Sequence, residues 1–295
     1  MSPEAKRLVR RVVMNTLGAI SFATILGLSF TKSRDYVAKI EAADAPPFVK
    51  LVDRPQWMSD SLADELMNAA RPKATSKVTD RATLIDRALV LSGNPWVKHV
   101  NSVRRAYHDG PGDTIEVDCD YRAPVALVHY DQGYVYVDAE GYRLPETLTP
   151  QQARAIVSTD KPLFRVIDGV GLPPMAPGKP WPGSDIKAGI ELVALLEGKP
   201  FADQIVKIDV TNYAGRERPN ESQINLITKY GTQIRWGQPP SSKDFFAEQK
   251  VDRKLEAMQQ ALAQTGRLDM NLPWIDLRFD NPTIPDRRAS LDTGR

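Results

Sequence analysis

The pattern of apolar and polar positions predicts consecutive strands in the middle of the chain, from residue 94 to residue 145. From Ile115 to Tyr121 every second residue is apolar and the residues between them are acidic, which is the pattern of a strand with one buried face. A valine-rich run at 96–107 precedes this strand, and the glycines and proline at 110–112 predict a hairpin between the two. A second hairpin is predicted at 125–137, where Asp131-Gln132-Gly133 supplies the turn.

Helical periodicity predicts two helices before the first hairpin. The first runs over 59–70 and stops before Pro72, and the second runs over 80–92 and stops at Gly93. A short apolar run at 48–52 predicts a strand ahead of them. The order strand, helix, helix, strand, strand predicts two helices packed on one face of a three-stranded sheet, an α+β arrangement.

The second half of the chain predicts a larger, β-rich α+β domain with an antiparallel sheet. A helix is predicted over 184–197, with Ser184 or Gly183 as its N-cap and Gly198 as its end. A second helix, with Val251, Leu255, Met258 and Leu262 on one face, is predicted to end near Gly266. The predicted strands lie at 206–210, 224–226, 234–236 and 274–279. The polar residues 286–295 predict a flexible tail.

An uncharged apolar run at 12–30 predicts a single membrane-spanning helix. At about 1.5 Å per residue the run extends roughly 28 Å, close to the hydrocarbon thickness of a bilayer. Four of the first eleven residues are basic and one is acidic, so residues 1–11 are expected to form a cytoplasmic tail. A cleaved signal peptide is the alternative, but the nearest small-residue site, Ala43-Asp44-Ala45, lies well beyond the run. We therefore expect an uncleaved anchor.

Common enzyme motifs, among them G-x-S-x-G, the Walker A loop, G-x-G-x-x-G and H-E-x-x-H, are not found in the sequence. The three histidines have no metal-ligand spacing, and the single cysteine, Cys119, lies among acidic residues that would raise its pKa. Outside the basic start the charges nearly balance, which argues against binding of nucleic acid. We therefore expect neither an enzyme nor a site for a metal, a cofactor or a small-molecule substrate.

A series of short motifs resembles the FtsQ/DivIB cell-division proteins, and their order along nearly the whole chain carries the resemblance. The motifs are Pro95-Trp96-Val97, Val103-Arg104-Arg105, Arg122 to Ala126, Val137 to Gly141 and Ile275 to Phe279. The resemblance implies a POTRA-like domain with the order β-α-α-β-β over 46–124 and an FtsQ-like β domain over 125–285. It implies a non-catalytic, single-pass scaffold of the bacterial inner membrane, with both domains outside the cytoplasm.

The partners implied by the resemblance are FtsB-like and FtsL-like division proteins, whose extracytoplasmic segments would add a strand to the β domain. The matching positions here are Arg278, Phe279, Asp280, Asn281, Thr283 and Ile284. The chain departs from the family there, because Pro282 and Pro285 lack the backbone donors of a paired strand. Two alternatives remain: an envelope transport or assembly module, since POTRA domains also serve that role, and a membrane-tethered cell-wall enzyme.

Overall fold

The computed structural model describes residues 3–39, 47–72, 81–106, 114–242, 248–280 and 284, with side chains of the first range described from Met14 to Arg34. The predicted turn at 110–112, the predicted tail at 286–295 and the site residues Asn281 and Thr283 lie outside these residues. The chain divides into two compact units. One comprises residues 1–92 and 99–119, and the other comprises residues 93–98 and 120–295.

The first unit begins with a long helix, α1 (Pro3–Lys39). Its stretch Met14–Arg34 has a mean hydropathy of 1.3 and is long enough to cross a membrane by length and composition. No other described helix meets these criteria. The predicted span at 12–30 largely coincides with this stretch, and the helix continues on both sides of it.

A three-stranded sheet and two helices form the rest of the first unit. The elements are β1 (Phe48–Leu51), α2 (Asp60–Ala70), α3 (Arg81–Ser92), β2 (Val97–Ala106) and β3 (Thr114–Tyr121). The strand order is β1-β3-β2, and β1 pairs with β3 in parallel. Ser59 caps α2, since its hydroxyl accepts a hydrogen bond from the backbone N–H of Leu62. The alternation at Ile115 and Val117 places both side chains in the core.

The second unit contains an eight-stranded sheet and three helices. The elements are β4 (Pro124–Tyr130), β5 (Gly133–Asp138), β6 (Arg143–Leu148), α4 (Pro150–Val157), β7 (Arg165–Asp168), α5 (Ser184–Leu196), β8 (Ile205–Asp209), β9 (Ile224–Thr228), β10 (Gln233–Gly237), α6 (Val251–Thr265) and β11 (Trp274–Asp276). The strand order is β11-β10-β9-β8-β7-β4-β5-β6. The hairpin of β4 and β5 and the helices α5 and α6 were predicted, whereas β6 and α4 were not.

The sheet is mixed, so the prediction of an antiparallel sheet is wrong for three strand pairs. β4 with β7, β7 with β8, and β10 with β11 are parallel. Parallel neighbours need a long crossover connection, which is usually helical. Here α5 lies in the connection from β7 to β8, and α6 lies in the connection from β10 to β11. The two helices predicted from the sequence therefore account for two of the three parallel pairs, and the connection from β4 to β7 contains β5, β6 and α4.

One face of this sheet packs against α5. Ile186 and Leu196 of α5 are fully buried with Ile167 of β7 and Ile208 of β8. Gly189 permits the close approach, because a Cβ atom there would lie 2.8 Å from a methyl carbon of Ile167. The opposite face of β7 to β11 carries several polar side chains, since side chains alternate between the two faces of a strand.

Candidate partner-binding edge and groove

The last described strand, β11, forms one edge of the eight-stranded sheet. The N–H of Leu277 donates to the carbonyl of Arg235 at 3.0 Å, and the N–H of Gln233 donates to the carbonyl of Pro273 at 3.1 Å. Residues 273, 275 and 277 therefore direct their backbone groups toward β10. Successive residues of a strand direct these groups to opposite sides, so Trp274 and Asp276 direct theirs away from the sheet.

The free part of this edge is short. No described residue bonds to the outward N–H and C=O groups of Trp274 and Asp276. The edge ends at Arg278, whose N–H donates to Asp276 Oδ1 at 3.1 Å and whose carbonyl accepts the N–H of Gln249 at 2.7 Å. We name the stretch Trp274–Asp276 the open edge. It precedes the six positions that the family resemblance indicates.

A buried ion pair holds the end of the open edge in place. The Asp276 side chain is 4% exposed and accepts hydrogen bonds from Arg278 Nε at 3.0 Å and from Arg278 Nη2 at 2.8 Å. Burial raises the pKa of Asp276, but the hydrogen bonds and charges of Arg278 and the charge of Arg235 outweigh it and hold this pKa below its ordinary value. Arg278 Nη1 also donates to the carbonyl of Asn220 at 3.3 Å. The predicted site residue Arg278 therefore stabilises the strand end.

The other described site residues are exposed. Phe279 is 48% exposed, with the Arg278 guanidinium 5.2 Å from its ring centroid, and Asp280 is exposed beside it. Ile284 is 44% exposed and contributes to an apolar groove. The structure thus leaves Phe279, Asp280 and Ile284 accessible, while their role in partner binding stays a prediction.

The apolar groove lies along α6 and beside the last two strands, with a volume of about 220 Å³. Its apolar lining comes from α6, from β10 and from the segment around β11: Ile234, Met258, Leu268, Ile275, Leu277 and Ile284. A groove of this kind accepts apolar side chains of a bound segment. Sequence analysis predicted the α6 face that includes Met258, but not the groove.

A buried lysine fixes α6 against the sheet. Lys254 is 3% exposed, and its Nζ donates to the carbonyl of Trp236 at 2.6 Å and to Glu248 Oε2 at 2.9 Å. Burial lowers the pKa of Lys254 and outweighs the attraction of Glu248, which acts in the opposite direction. This network lies next to the backbone bond between Gln249 and Arg278, so it supports both the groove and the open edge.

Polar residues also lie on the face of this sheet that is opposite α5, where no site was predicted. His129 Nδ1 lies 2.9 Å from Asp168 Oδ1, and Lys207 Nζ donates to Asp168 Oδ2 at 2.9 Å. Burial raises the pKa of Asp168, but the hydrogen bonds of His129 and Lys207 hold this pKa below its ordinary value. In the sequence, only the alternation of β8 indicates this arrangement. Lys207 lies between residues of that strand whose side chains point to the buried face, so its own side chain points to the other face.

The described residues contain no group of three or more His, Cys, Asp or Glu side chains that could hold a metal ion. The cysteine, Cys119, is buried. No protein-family model matches the chain, and no curated protein matches it. The resemblance to the FtsQ/DivIB family is therefore carried by the sequence motifs alone, and the geometry of the open edge and groove is independent of it.

Proposed function

We propose that this protein is a membrane-anchored, non-catalytic scaffold whose second unit binds an extended segment of another protein along the open edge. More specifically, we propose a division protein of the FtsQ/DivIB type in the inner membrane, with a cytoplasmic N-terminus. In this proposal the first unit is a POTRA-like domain, and the partners are FtsB-like and FtsL-like proteins. The single observation that carries the proposal is the open edge, with four outward backbone groups beside an apolar groove.

The physical basis is strand addition. An edge strand has unpaired N–H and C=O groups, and a partner segment in extended conformation satisfies them by becoming the next strand. Trp274 and Asp276 each direct one N–H and one C=O outward, so a partner forms up to four backbone bonds there. Backbone bonds of this kind provide affinity with little sequence selectivity. The groove supplies the selectivity, because it favours a partner with an apolar side chain beside the added strand.

Replacing Trp274 with proline is expected to weaken partner capture about tenfold more than replacing it with alanine. Proline removes the outward N–H of residue 274, and proline is tolerated at an edge strand when its nitrogen faces away from the sheet. Both variants remove the indole ring, whose contact is with Arg235 at 4.4 Å, so their difference isolates the backbone donor. The measurement is co-purification of FtsB-like and FtsL-like proteins with the full chain from membranes. Equal capture by two folded variants would argue against strand addition.

The assignment to cell division predicts a location in the cell. A fluorescent fusion at the N-terminus of the full chain is expected to collect in a band at midcell before constriction. A matched fusion that ends at residue 46 retains α1 but lacks the sheets of both units, and it is expected to label the whole envelope. A uniform signal from the full chain would favour an envelope transport or assembly module. Hydrolysis of purified peptidoglycan by the full chain would contradict a non-catalytic scaffold.

A further inference from the structure

Helix α3 carries an apolar stripe that the rest of the first unit leaves exposed. Ile85 is 53% exposed, Leu89 is 67% exposed and Val90 is 41% exposed. Ile85 and Leu89 lie four residues apart and are neighbours on one side of the helix, with Ala82 one turn earlier. The other side of the helix packs on the unit, where Leu91 is fully buried. We name Ala82, Ile85, Leu89 and Val90 the outer stripe. Contiguous exposed apolar surface of this kind marks contact with a protein or a membrane.

The charges of α3 suit contact with lipid. Asp86, the one acidic residue of this helix, pairs with Arg87. Arg81 is exposed in the first turn, and a long basic side chain there reaches lipid phosphate groups while its apolar stem lies along the surface. Helix α2 differs, because its exposed positions include Asp60 and Asp64. Of the two helices of this unit, α3 is therefore the one suited to an apolar, anionic surface.

The fold places α3 near the end of the sheet where the chain arrives from α1. β1 begins at Phe48 on that end, and α2 begins beyond the other end of β1, where Arg54 pairs with Asp60 at 2.7 Å. Because α2 packs against β1, it returns toward the start of the strand. The carbonyl of Ala69, near the end of α2, accepts a hydrogen bond from Arg87 Nη1 at 3.4 Å, and this bond places the middle of α3 there.

The connection to α1 keeps this end of the unit close to a membrane. Helix α1 ends at Lys39, and β1 begins at Phe48. An extended chain covers at most about 3.3–3.6 Å per residue, so Phe48 lies within roughly 30 Å of the end of α1. With the stretch Met14–Arg34 across a bilayer, as proposed above, the lipid surface is presented to the unit at a high effective concentration. The bilayer therefore reaches the outer stripe without any further partner.

We propose that the outer stripe of α3 binds the surface of the lipid bilayer in which α1 is anchored. Ile85, Leu89 and Val90 enter the boundary between head groups and acyl chains, and Arg81 contacts head-group phosphates. The contact is favourable because these side chains leave water. The inference rests on the proposed membrane anchor and is independent of the assignment to cell division. It gives the first unit a second attachment to the membrane and so restricts its orientation there.

The test is nitroxide EPR on the full chain in vesicles of phosphatidylethanolamine and phosphatidylglycerol. The buried Cys119 is replaced with alanine, and one label is attached in each of three proteins, Ala82→Cys, Ser61→Cys and Leu26→Cys, all at exposed positions. Oxygen concentrates in lipid and a neutral nickel chelate in water, so the ratio of their collision rates with the label reports its surroundings. Ala82→Cys and Leu26→Cys are expected to give a ratio severalfold higher than Ser61→Cys, which lies in the first turn of α2.

Two variants test the outer stripe itself, with the label kept at Ala82→Cys. Ile85→Ser combined with Leu89→Ser is expected to lower the collision ratio severalfold, because the helix loses most of its apolar contact with lipid. Leu163→Ser makes the same kind of change at a position of the second unit that is 80% exposed, and it is expected to have no effect. The three replaced side chains are exposed, so these variants leave the cores of both units intact.

The outcomes distinguish the occupants of the outer stripe and separate this inference from the anchor. A lipid-like ratio at Ala82→Cys that falls in the double variant supports the proposal. A water-like ratio at Ala82→Cys with a lipid-like ratio at Leu26→Cys would overturn it and leave the anchor unaffected, whereas water-like ratios at both would overturn the anchor as well. A ratio at Ala82→Cys that becomes water-like when each vesicle holds a single copy would assign the outer stripe to a second copy and overturn the proposal, as would an equal effect of Leu163→Ser.

Discussion

Replacing Glu248 with alanine is expected to lower the free energy of unfolding of the protein by about 3 kcal/mol. The change leaves the Lys254 ammonium group buried with the carbonyl and the ring of Trp236 as its described partners, and it also removes the acceptor of the Gln238 N–H. Removing one member of a buried ion pair is costly because the remaining charge stays out of water without compensation. Urea unfolding of the full chain, followed by tryptophan fluorescence, measures the loss.

A second substitution is expected to reverse most of this loss. Lys254→Met in the Glu248→Ala background removes the stranded charge and keeps an apolar chain of similar length, and such replacements of buried ion pairs are often neutral. Glu256→Ala serves as the matched control, because Glu256 lies on the exposed part of α6 and, among the described residues, pairs with exposed Arg253. Its expected cost is below about 0.5 kcal/mol. Similar losses in Glu248→Ala and Glu256→Ala would contradict the role given to Lys254.

The pH dependence of stability offers an independent readout of Lys254. Its pKa in the folded protein lies below the ordinary value of 10.5, so between the two values the unfolded chain binds more protons than the folded chain. Stability relative to the Lys254→Met variant is therefore expected to rise with pH across that interval. Below the interval both states are protonated, and the difference between the proteins is expected to be constant. A difference that falls as pH rises would show that the pKa is not lowered.

Local signals in the sequence account for the elements that were predicted. Helix α6 ends at Gly266, which adopts a left-handed φ of 70°, as the C-terminal glycine indicated. The hairpin of β4 and β5 follows from alternation on both sides of a short turn. One local signal was overlooked. Helix α4 has a capping box formed by Thr149 and Gln152, with Pro150 in its first turn.

The strand at 274–279 was predicted, but its place in the sheet could not be, because that place depends on contacts between distant parts of the chain. β11 is an edge strand only because α6 carries the chain across to pair it in parallel with β10. The salt bridge of Lys207 with Asp168 joins residues 39 positions apart, so no local pattern indicates it. The burial of Lys254 is partly visible in the sequence. It lies three residues after Val251 and four before Met258, which places it on the apolar face of α6 rather than on the solvated face.

Replacing Asp276 with alanine is expected to remove about 3 kcal/mol of stability and to abolish partner capture at the open edge. Arg278 would lose both bonds to the carboxylate while its side chain stays only 15% exposed. Breaking such a buried pair leaves an uncompensated charge next to the strand. The Arg278 N–H would also lose its acceptor, Asp276 Oδ1, so the end of β11 would lose a hydrogen bond that fixes its conformation. Urea unfolding measures the first effect, and co-purification of the partners measures the second.

Acid is expected to reproduce the stability effect of Asp276→Ala without any substitution. The pKa of Asp276 in the folded protein lies below its ordinary value of 3.8, so the stabilisation by this carboxylate is fully present above that value and is lost as pH falls through the folded pKa. The difference in stability between the wild type and Asp276→Ala should therefore narrow in acid. Comparison with the variant is needed because Asp168 and Asp269 also have lowered pKa values and contribute their own acid dependence. Asp280→Ala removes the exposed carboxylate four residues further on, and it is expected to leave stability unchanged at neutral pH. A constant difference between the wild type and Asp276→Ala down to strong acid would mean that the ion pair with Arg278 does not stabilise the open edge.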